Sequence, residues 1–433
     1  MKFLCGASRE KITPPIGTGL YGYSPDVIST EVHDDLTLSA IAFGDGEKTL
    51  ILISVDLAEL NTDLTTEMRA ACAEACGVSL SDVIITTTHN HCAPNLSGMS
   101  GWGDIDREYY SLFLPALLRA AKAAVAGMTE AEMGVAVGRS DVGINRREYL
   151  LNGDTILGQN PWGQYDASMT VLRIRRKNDR KGIVNLIHYG CHGTACGCST
   201  IITRDWPGVM IDRMENVTGE LTVFVNGAIG DVGPRLTNGS TTGDITHVEE
   251  LGAVAAMDAV RISNSVVTYN TPALQKCFGT VRLPLVYPQP LEEVRRERKA
   301  MGDPAGLVNC EGLHYQHLCD LENWYVSENR EAVPAHLSFD MTAIAVGDVL
   351  FLPYPYEIFS ETSIRLRAHS GYGHTLCLSC ANGYNGYLPS QDQICRGGYE
   401  VAVFRYANLF PLSPDTDNHL IGESLRILKE SKN

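Results

Sequence analysis

Residues 82–94 have the sequence DVIITTTHNHCAP, in which an apolar run leads directly into two histidines one residue apart. The run at 83–85 is typical of a buried β-strand, where residues two apart point to the same side of the sheet. His89 and His91 are therefore predicted to face one pocket at the end of a strand, where open α/β folds build their sites. This stretch alone is compatible with metal ligation, with catalysis or with two solvent-facing loop histidines.

Strand-like and helix-like runs alternate along most of the chain, which predicts an α/β fold with at least one large, partly mixed sheet layered with helices. The predicted strands lie at residues 48–57, 82–91, 169–176, 183–190 and 221–231, and two more lie at 340–352. The predicted helices lie at residues 61–77, 106–127 and 355–371, with a short one after Trp206. The polar, proline-containing segment at about 285–335 is predicted to be an irregular insertion that forms one wall of the pocket.

The composition excludes several classes of protein. Thirty-five basic and 51 acidic residues give the 433-residue chain a net charge of −16, which would repel phosphate backbones and anionic lipid headgroups. No apolar run approaches the roughly 20 residues that a membrane span needs. The first residues, MKFLCGASREKITPP, do not resemble a signal peptide. A cytoplasmic protein that inserts into no membrane, binds no nucleic acid and acts on a small molecule is expected, and homo-oligomerisation is compatible with the sequence.

The 13 cysteines are scattered through apolar segments without the rhythm of a disulfide scaffold. Reduced thiols are therefore expected. The cluster of Cys191, Cys196 and Cys198 lacks the paired CxxC spacing of a structural zinc site, so buried thiols are the preferred interpretation. The CxxC pair of Cys377 and Cys380 lies in a run that is predicted to be a buried strand.

Polar side chains recur where predicted strands end. They are His188 and His192, Asn226 and Asp231 in a glycine-rich turn, Glu357 at a predicted helix start, and Tyr384 and Tyr387. Each alone is compatible with a structural role. Together they predict that two histidines and one acid meet on a metal ion. Zinc fits, because catalytic zinc takes three protein ligands and keeps an open position for water.

The order of the motifs resembles the neutral, non-lysosomal ceramidases, specifically their zinc-dependent catalytic domain. The matching stretches are KITPPIGTGLYGY, SVDLAEL, TTTHNHCAP (family T-H-T-H-S-G-P), INRREYLLN, CHGTAC (family H-G-T-S-M), GAIGDVGP (family N-x-G-D-V-S-P) and NGYNGYLPS followed by RGGYE. The resemblance covers most of the chain and implies one catalytic domain over residues 1–433 with the ceramidase-type mixed α/β fold.

Carried over position by position, the resemblance implies a zinc site and its catalytic neighbours. His89 and His192 would be the first and second zinc ligands, and Glu357 and Tyr387 the third and fourth. His91 would be the acid/base group. Arg146 and Tyr399 would position the substrate carbonyl or stabilise its oxyanion.

The sequence also departs from the family pattern. Gly233 replaces the serine of the D-V-S-P turn, Cys92 replaces the serine after the second histidine, and Cys196 ends the H-G-T motif. The secretory signal and the C-terminal immunoglobulin-like domain of the family are not expected in this sequence. These departures predict a cytoplasmic relative whose substrate is smaller or more polar than ceramide.

Three functions remain open from the sequence. The first is a zinc-dependent hydrolase of an amide or related carbonyl bond that uses metal-activated water. The second is a metal-dependent lyase or isomerase acting on a sugar or sugar acid, which the loss of the serine at Gly233 favours. The third, favoured least because every proposed ligand is present, is a metal-binding relative without catalytic activity.

Overall fold

The computed structural model describes residues 2–431, and in them a large and a smaller β-sheet are layered between helices. The helices are α1 (Thr62–Cys76), α2 (Arg107–Ala126), α3 (Asp205–Thr218), α4 (Ile245–Asn264), α5 (Leu291–Met301), α6 (Asn309–Val326), α7 (Ser360–His369), α8 (Gln391–Ile394), α9 (Tyr399–Tyr406) and α10 (Thr416–Glu430). The strands are β1 (Leu4–Lys11), β2 (Glu31–Val32), β3 (Thr37–Gly44), β4 (Thr49–Val55), β5 (Val83–Thr87), β6 (Thr129–Arg139), β7 (Gly143–Tyr149), β8 (Thr155–Asn160), β9 (Ser168–Arg176), β10 (Gly182–Tyr189), β11 (Ile201–Ile202), β12 (Thr222–Asn226), β13 (Val232–Pro234), β14 (Leu274–Pro284), β15 (His336–Val346), β16 (Val349–Pro353), β17 (Glu357–Ile358), β18 (His374–Leu378) and β19 (Tyr387–Leu388).

The large sheet has the strand order β12-β10-β9-β6-β1-β3-β4-β5. It is mixed, because β4–β5 and β10–β12 pair in parallel while β1–β3, β3–β4, β6–β9 and β9–β10 pair antiparallel. The second sheet has the order β14-β15-β16-β18, and smaller pairings include β13-β7-β8 and β17-β19. The predicted α/β class with mixed sheets is confirmed.

The alternation of side chains along β4 explains why the layers stack. Ile51 and Ile53 point into a core that helices α1 and α2 cover, whereas Leu50 and Leu52 point into the core shared with Phe351 of the second sheet. Residues two apart in a strand share a face, so a strand that is apolar throughout must be covered on both sides. Helices α3 and α4 cover the large sheet near β10 and β12, and α7 and α10 cover the outer face of the second sheet.

The segment at 285–335 is mostly helical, so the prediction that it is irregular is wrong. It forms α5 and α6, which pack together through a small cluster of Val294, Leu318 and Leu321. Because few residues of α5 and α6 are buried, the segment is too polar for its helical periodicity to stand out. Helix α3, predicted to be short, has 14 residues and begins at Asp205.

All thirteen cysteines lie within residues 2–431, and none of them forms a disulfide there. In the same described range, no helix combines the length and the apolar character that crossing a membrane requires.

Gly6 tests the contact between β1 and α2. A Cβ at this position would lie 2.2 Å from the carbonyl oxygen of Ala124 and 2.7 Å from the backbone nitrogen of Met128. Gly6→Ala should therefore lower the free energy of unfolding by about 1–3 kcal/mol, the usual cost of overpacking. Urea denaturation measures this change.

Gly422→Ala is the matched control, because within residues 2–431 an added Cβ there would meet no heavy atom within 4 Å apart from its chain neighbours and the backbone of its own helix. Gly422 lies in α10, where alanine should raise the free energy of unfolding by up to about 1 kcal/mol. Equal stability of the Gly6→Ala variant and the wild-type protein would contradict the close approach of β1 and α2.

Candidate active site

His89 and His91 lie just beyond β5, which ends at Thr87. The prediction that the strand itself carries them is wrong, because His89 has a left-handed backbone with a φ of 58°. Their Nε2 atoms are nevertheless 3.1 Å apart, so both rings face one site. A non-glycine residue in this conformation costs of order 1 kcal/mol and persists only where its surroundings hold it.

Backbone carbonyl groups fix the tautomers of two histidines. His89 Nδ1 lies 2.9 Å from the carbonyl oxygen of Ala58, and His192 Nδ1 lies 3.0 Å from that of Val232. A carbonyl oxygen only accepts hydrogen bonds, so each Nδ1 carries the proton and each Nε2 presents a lone pair. Both lone pairs point into the same buried site, which is the orientation of metal-binding histidines.

Glu357 faces these two lone pairs. Its Oε2 atom lies 2.9 Å from His192 Nε2, and its Oε1 atom lies 3.5 Å from His89 Nε2. Oε2 has no hydrogen-bond donor within the described part of the chain, whereas Oε1 accepts a hydrogen bond of 2.8 Å from the Tyr384 hydroxyl. Unprotonated nitrogen and oxygen atoms facing each other in a buried site, without a donor between them, fit a cation.

Glu357 lies on the short strand β17 and not at a helix start, because it pairs in parallel register with Tyr387 on β19. This pairing places the two side chains side by side. The Tyr387 hydroxyl lies 3.4 Å from His192 Nε2 and accepts a hydrogen bond of 2.8 Å from Arg146 Nη2. Tyr387 therefore joins the same cluster.

A buried carboxylate holds the arginine of the site. Glu400 Oε1 lies 2.8 Å from Arg146 Nε, and Glu400 Oε2 binds Arg147 Nη1. All three side chains are at most 6% exposed, so the two guanidinium charges depend on this carboxylate and on nearby polar groups for compensation. The ring of Tyr399, next to Glu400 in the chain, lies 5.8 Å from the ring of Tyr387.

Burial determines the protonation of the cluster. It lowers the pKa of His89 and His192 to about 4, and burial together with His89 lowers the pKa of His91 to about 3. Burial alone would raise the pKa of Glu357, but the neighbouring histidines and Arg146 bring it below its usual value. The imidazoles are therefore neutral and the carboxylate is charged at neutral pH.

Tyr387 behaves differently. Burial raises its pKa well above the usual value even though Arg146 lowers it. The phenol keeps its proton unless a second cation is bound beside Arg146.

The structure brings together all seven residues that the resemblance singled out, namely His89, His91, Arg146, His192, Glu357, Tyr387 and Tyr399. Other strand-end residues have structural contacts. His188 turns away and donates from Nε2 to the Cys377 carbonyl at 2.8 Å, and Asn226 donates to the Thr88 carbonyl at 2.9 Å. Asp231 accepts from the backbone nitrogen of Ser360 at 2.8 Å.

Three further groups near the cluster were not predicted from the sequence. Cys380 forms a compact set of candidate ligands with His89 and Glu357. Its sulfur, however, lies 3.5 Å from His89 Nδ1, the nitrogen that already donates a hydrogen bond to the Ala58 carbonyl. Burial raises the pKa of this thiol well above its usual value, so it stays protonated.

Glu400 and Glu59 are the other two groups that were not predicted. Glu59 comes shortly after β4, just as His89 comes shortly after β5. An acidic residue after a buried strand was the sequence signal that could have identified Glu59.

The cluster opens into a cavity of about 220 Å³. Most of its lining is polar, and Trp102 and Leu157 contribute apolar surface. The polar lining consists of the threonines Thr194, Thr241 and Thr242 together with Tyr23, His91, Arg146, His192, Asn309, Tyr387 and Tyr399. Asn309 comes from the 285–335 segment, which therefore contributes to the lining.

The fold is similar to that of solved ceramidases. The crystal structure of neutral ceramidase from Pseudomonas aeruginosa matches with a TM-score of 0.76 at 16% sequence identity, covering 99% of this chain and 75% of that chain. A ceramidase complexed with C2 matches with a TM-score of 0.75 at 17% identity and the same coverage. No protein-family model and no curated protein sequence matches the chain. The structural likeness confirms the predicted ceramidase-type fold.

Glu400 provides a test of the charge arrangement. Glu400→Ala would leave Arg146 and Arg147 buried beside each other without their shared carboxylate. Breaking a buried ion pair in this way costs about 3–5 kcal/mol of unfolding free energy. Urea denaturation should show a loss of this size.

Glu430→Ala is the control, because Glu430 forms an exposed ion pair with Arg426 at 2.7 Å. Surface pairs contribute roughly 0–1 kcal/mol. Equal effects of the two substitutions would contradict the buried arrangement.

Proposed function

We propose that this chain is a zinc-dependent hydrolase of an amide or related carbonyl bond, with water as the nucleophile and a substrate smaller or more polar than ceramide. The observation that carries the proposal is the convergence of two histidine lone pairs on the buried carboxylate of Glu357. The ceramidase-type fold supports the same reaction class.

His89, His192 and Glu357 would hold the metal, and Tyr387 would be the fourth ligand. The donor set of two neutral imidazoles and a carboxylate suits zinc. When bound, zinc would supply a Lewis acid and lower the pKa of water at its open position to about 7. Tyr387 would ligate as a phenolate, which the metal and Arg146 together stabilise.

His91 would move the proton. Its imidazole is neutral at pH 7 because its pKa is lowered to about 3, and its Nε2 lies 3.1 Å from that of His89. A neutral imidazole at this position accepts the proton of the attacking water and returns it to the leaving group. The ring of Tyr23, 5.4 Å away, keeps His91 in place.

Arg146 and Tyr399 would stabilise the oxyanion. Glu400 and the Tyr387 hydroxyl hold the guanidinium of Arg146, which lines the cavity, so it needs no reorientation during the reaction. Tyr399 lines the same cavity beside Tyr387.

The backbone around Gly233 supports water as the nucleophile. A Cβ at Gly233 would lie 2.7 Å from Thr241 Cγ2 and 3.3 Å from Arg146 Cβ. Thr241 therefore fills the space that a serine side chain would need, and no acyl-enzyme forms at this position.

The cavity supports a small substrate. Pockets for drug-sized ligands measure about 300–1,000 Å³, more than the 220 Å³ found here. The threonine hydroxyls favour a substrate with polar groups.

The second candidate is lyase or isomerase chemistry, because the same lining suits a sugar acid. A screen of N-acyl amines, esters and sugar acids separates this candidate from the hydrolase. Conversion of sugar acids alone would overturn the hydrolase proposal.

The metal site is tested by zinc content. Purified wild-type protein should bind one zinc ion per chain, and His192→Ala should lose most of it because one ligand and its lone pair are removed. His419→Ala, which changes an exposed histidine paired with Asp415, should keep full occupancy. Elemental analysis measures both. Full zinc occupancy of the His192→Ala variant would refute the ligand assignment.

His91 is tested by separating metal binding from turnover. His91→Ala should retain zinc but lose about 10²- to 10⁴-fold in kcat, the range for general acid–base catalysis. Lost zinc with activity restored by added metal would instead make His91 a ligand. Unchanged kcat on a confirmed substrate would remove it from the mechanism.

A further inference from the structure

Trp206 and Asp205, at the start of α3, contact the loop that carries His192. The indole Nε1 of Trp206 donates a hydrogen bond of 2.8 Å to the backbone carbonyl of His192. The rings of Tyr189 on β10 and Phe224 on β12 pack against the indole, so the large sheet holds its N–H in place. Trp206 and Asp205 are both completely buried.

The carboxylate of Asp205 holds the next part of the same loop. Its Oδ1 atom accepts a hydrogen bond of 3.0 Å from the backbone nitrogen of Ala195, and its Oδ2 atom accepts one of 2.8 Å from that of Cys196. Oδ1 also accepts a hydrogen bond of 2.8 Å from the backbone nitrogen of Trp206. Asp205 has a left-handed backbone with a φ of 55°, a conformation that persists where the surroundings hold the residue.

His192 is fixed by its other hydrogen bonds as well. Its backbone nitrogen and its ring Nδ1 both donate to the Val232 carbonyl, at 3.1 and 3.0 Å. Its own carbonyl is held by the indole of Trp206, while the Cys191 thiol makes only a longer contact of 3.6 Å with the same oxygen. A thiol is a weak donor, so the indole is the main partner of this carbonyl. The ring Nε2 then faces Glu357.

The same part of the chain, residues 203–206, is also linked to the loop of the other two histidines. Asn90 in that loop donates from Nδ2 to the Thr203 carbonyl at 2.7 Å. The two histidine loops lie against each other, because a Cβ at Gly193 would be 3.0 Å from the carbonyl oxygen of His89. Residues 203–206 therefore contact both loops that supply imidazoles to the site.

We propose that Trp206 and Asp205 are positioning residues of the metal site, which hold the backbone of the His192 loop so that His192 Nε2 stays directed at Glu357. This inference rests on the proposed metal site. Groups that orient metal ligands typically change metal affinity by about 10- to 100-fold when they are removed. If the two residues served only the packing of the core, their loss would lower stability and leave the zinc affinity of the folded protein unchanged.

The experiment measures zinc dissociation constants by competition with a chromophoric chelator, together with the stability of each metal-free protein in urea. Trp206→Phe removes the indole N–H but keeps an aromatic ring, and the folded variant should bind zinc about 10- to 100-fold more weakly than the wild-type protein. Asp205→Ala removes all three acceptor contacts and should weaken binding to a similar extent. Asp205→Asn keeps Oδ1, which accepts two of the three hydrogen bonds, so it should weaken binding less than Asp205→Ala.

Trp324→Phe is the matched control. Trp324 Nε1 also donates to a backbone carbonyl, that of Glu331 at 3.1 Å, but this carbonyl belongs to no loop that carries a candidate ligand. Gly6→Ala is the control for stability alone, because its added Cβ meets the backbone that follows α2 and no ligand loop. Both variants should bind zinc within about threefold of the wild-type protein, since distant sites usually act independently.

Each outcome decides the inference. Wild-type zinc affinity in a folded Trp206→Phe protein, or equal effects of Trp206→Phe and Trp324→Phe, would overturn the role of the indole. Equal losses in Asp205→Asn and Asp205→Ala would overturn the role of the carboxylate, and this pair of variants decides the inference if Trp206→Phe does not fold. A matching loss of affinity in Gly6→Ala would reduce the effect to stability and overturn both roles.

Failure of the proposed function has a different result. A wild-type protein that binds no zinc would overturn the metal site and this inference together. In each of the outcomes above, by contrast, the wild-type protein binds zinc and only the positioning role is lost.

Discussion

Glu357 carries its carboxylate into a site where the side chain is 1% exposed, and taking such a charge out of water costs several kcal/mol unless its neighbours compensate it. Compensation comes from separate segments. The Tyr384 hydroxyl engages one oxygen, the His192 ring faces the other, and Arg146 lies behind Tyr387. Because Glu400 already neutralises much of Arg146, the proposed metal ion among the histidines would complete the balance.

The loops that bring these groups together are tied to the sheets by buried hydrogen bonds. Asn226 at the end of β12 donates to the carbonyl of Thr88, just before His89. Asp231 anchors the start of α7 close to Glu357, and the backbone nitrogen of Asn382, near Tyr384, donates to Ile85 in β5. The site therefore lies where both sheets contribute loops. These connections hold His89 in its strained backbone conformation, which explains how a left-handed histidine persists there.

The sequence predicts the strands and helices well where they are apolar throughout or strongly amphipathic, as in β4 and α1, because their burial pattern is local. It fails where the backbone depends on distant partners. The left-handed turn at His89, the strand pairing of Glu357 with Tyr387 and the narrow stripe of α5 and α6 all arise from contacts far along the chain. His89, His91, His192, Glu357 and Tyr387 could be singled out because they follow predicted strands, but their roles, and Arg146 and Tyr399 altogether, came from the resemblance. Glu400 could not be found in either way, since its importance lies in the two arginines that it holds.

The packing around Gly233 shows that the residues around Glu357 and the residues that shape the cavity wall belong to different parts of the chain. Thr241 occupies the space beside this glycine, so the missing side chain and the threonine are two parts of one packing arrangement. The groups around Glu357 are fixed by hydrogen bonds to the sheets, whereas much of the cavity wall comes from Leu157, the threonines and Asn309. Changes in that wall alter the size and polarity of the cavity without removing any partner of the buried carboxylate. The same cluster of candidate ligands is thus compatible with cavities of different size, because different segments of the chain carry these ligands and shape much of the cavity wall.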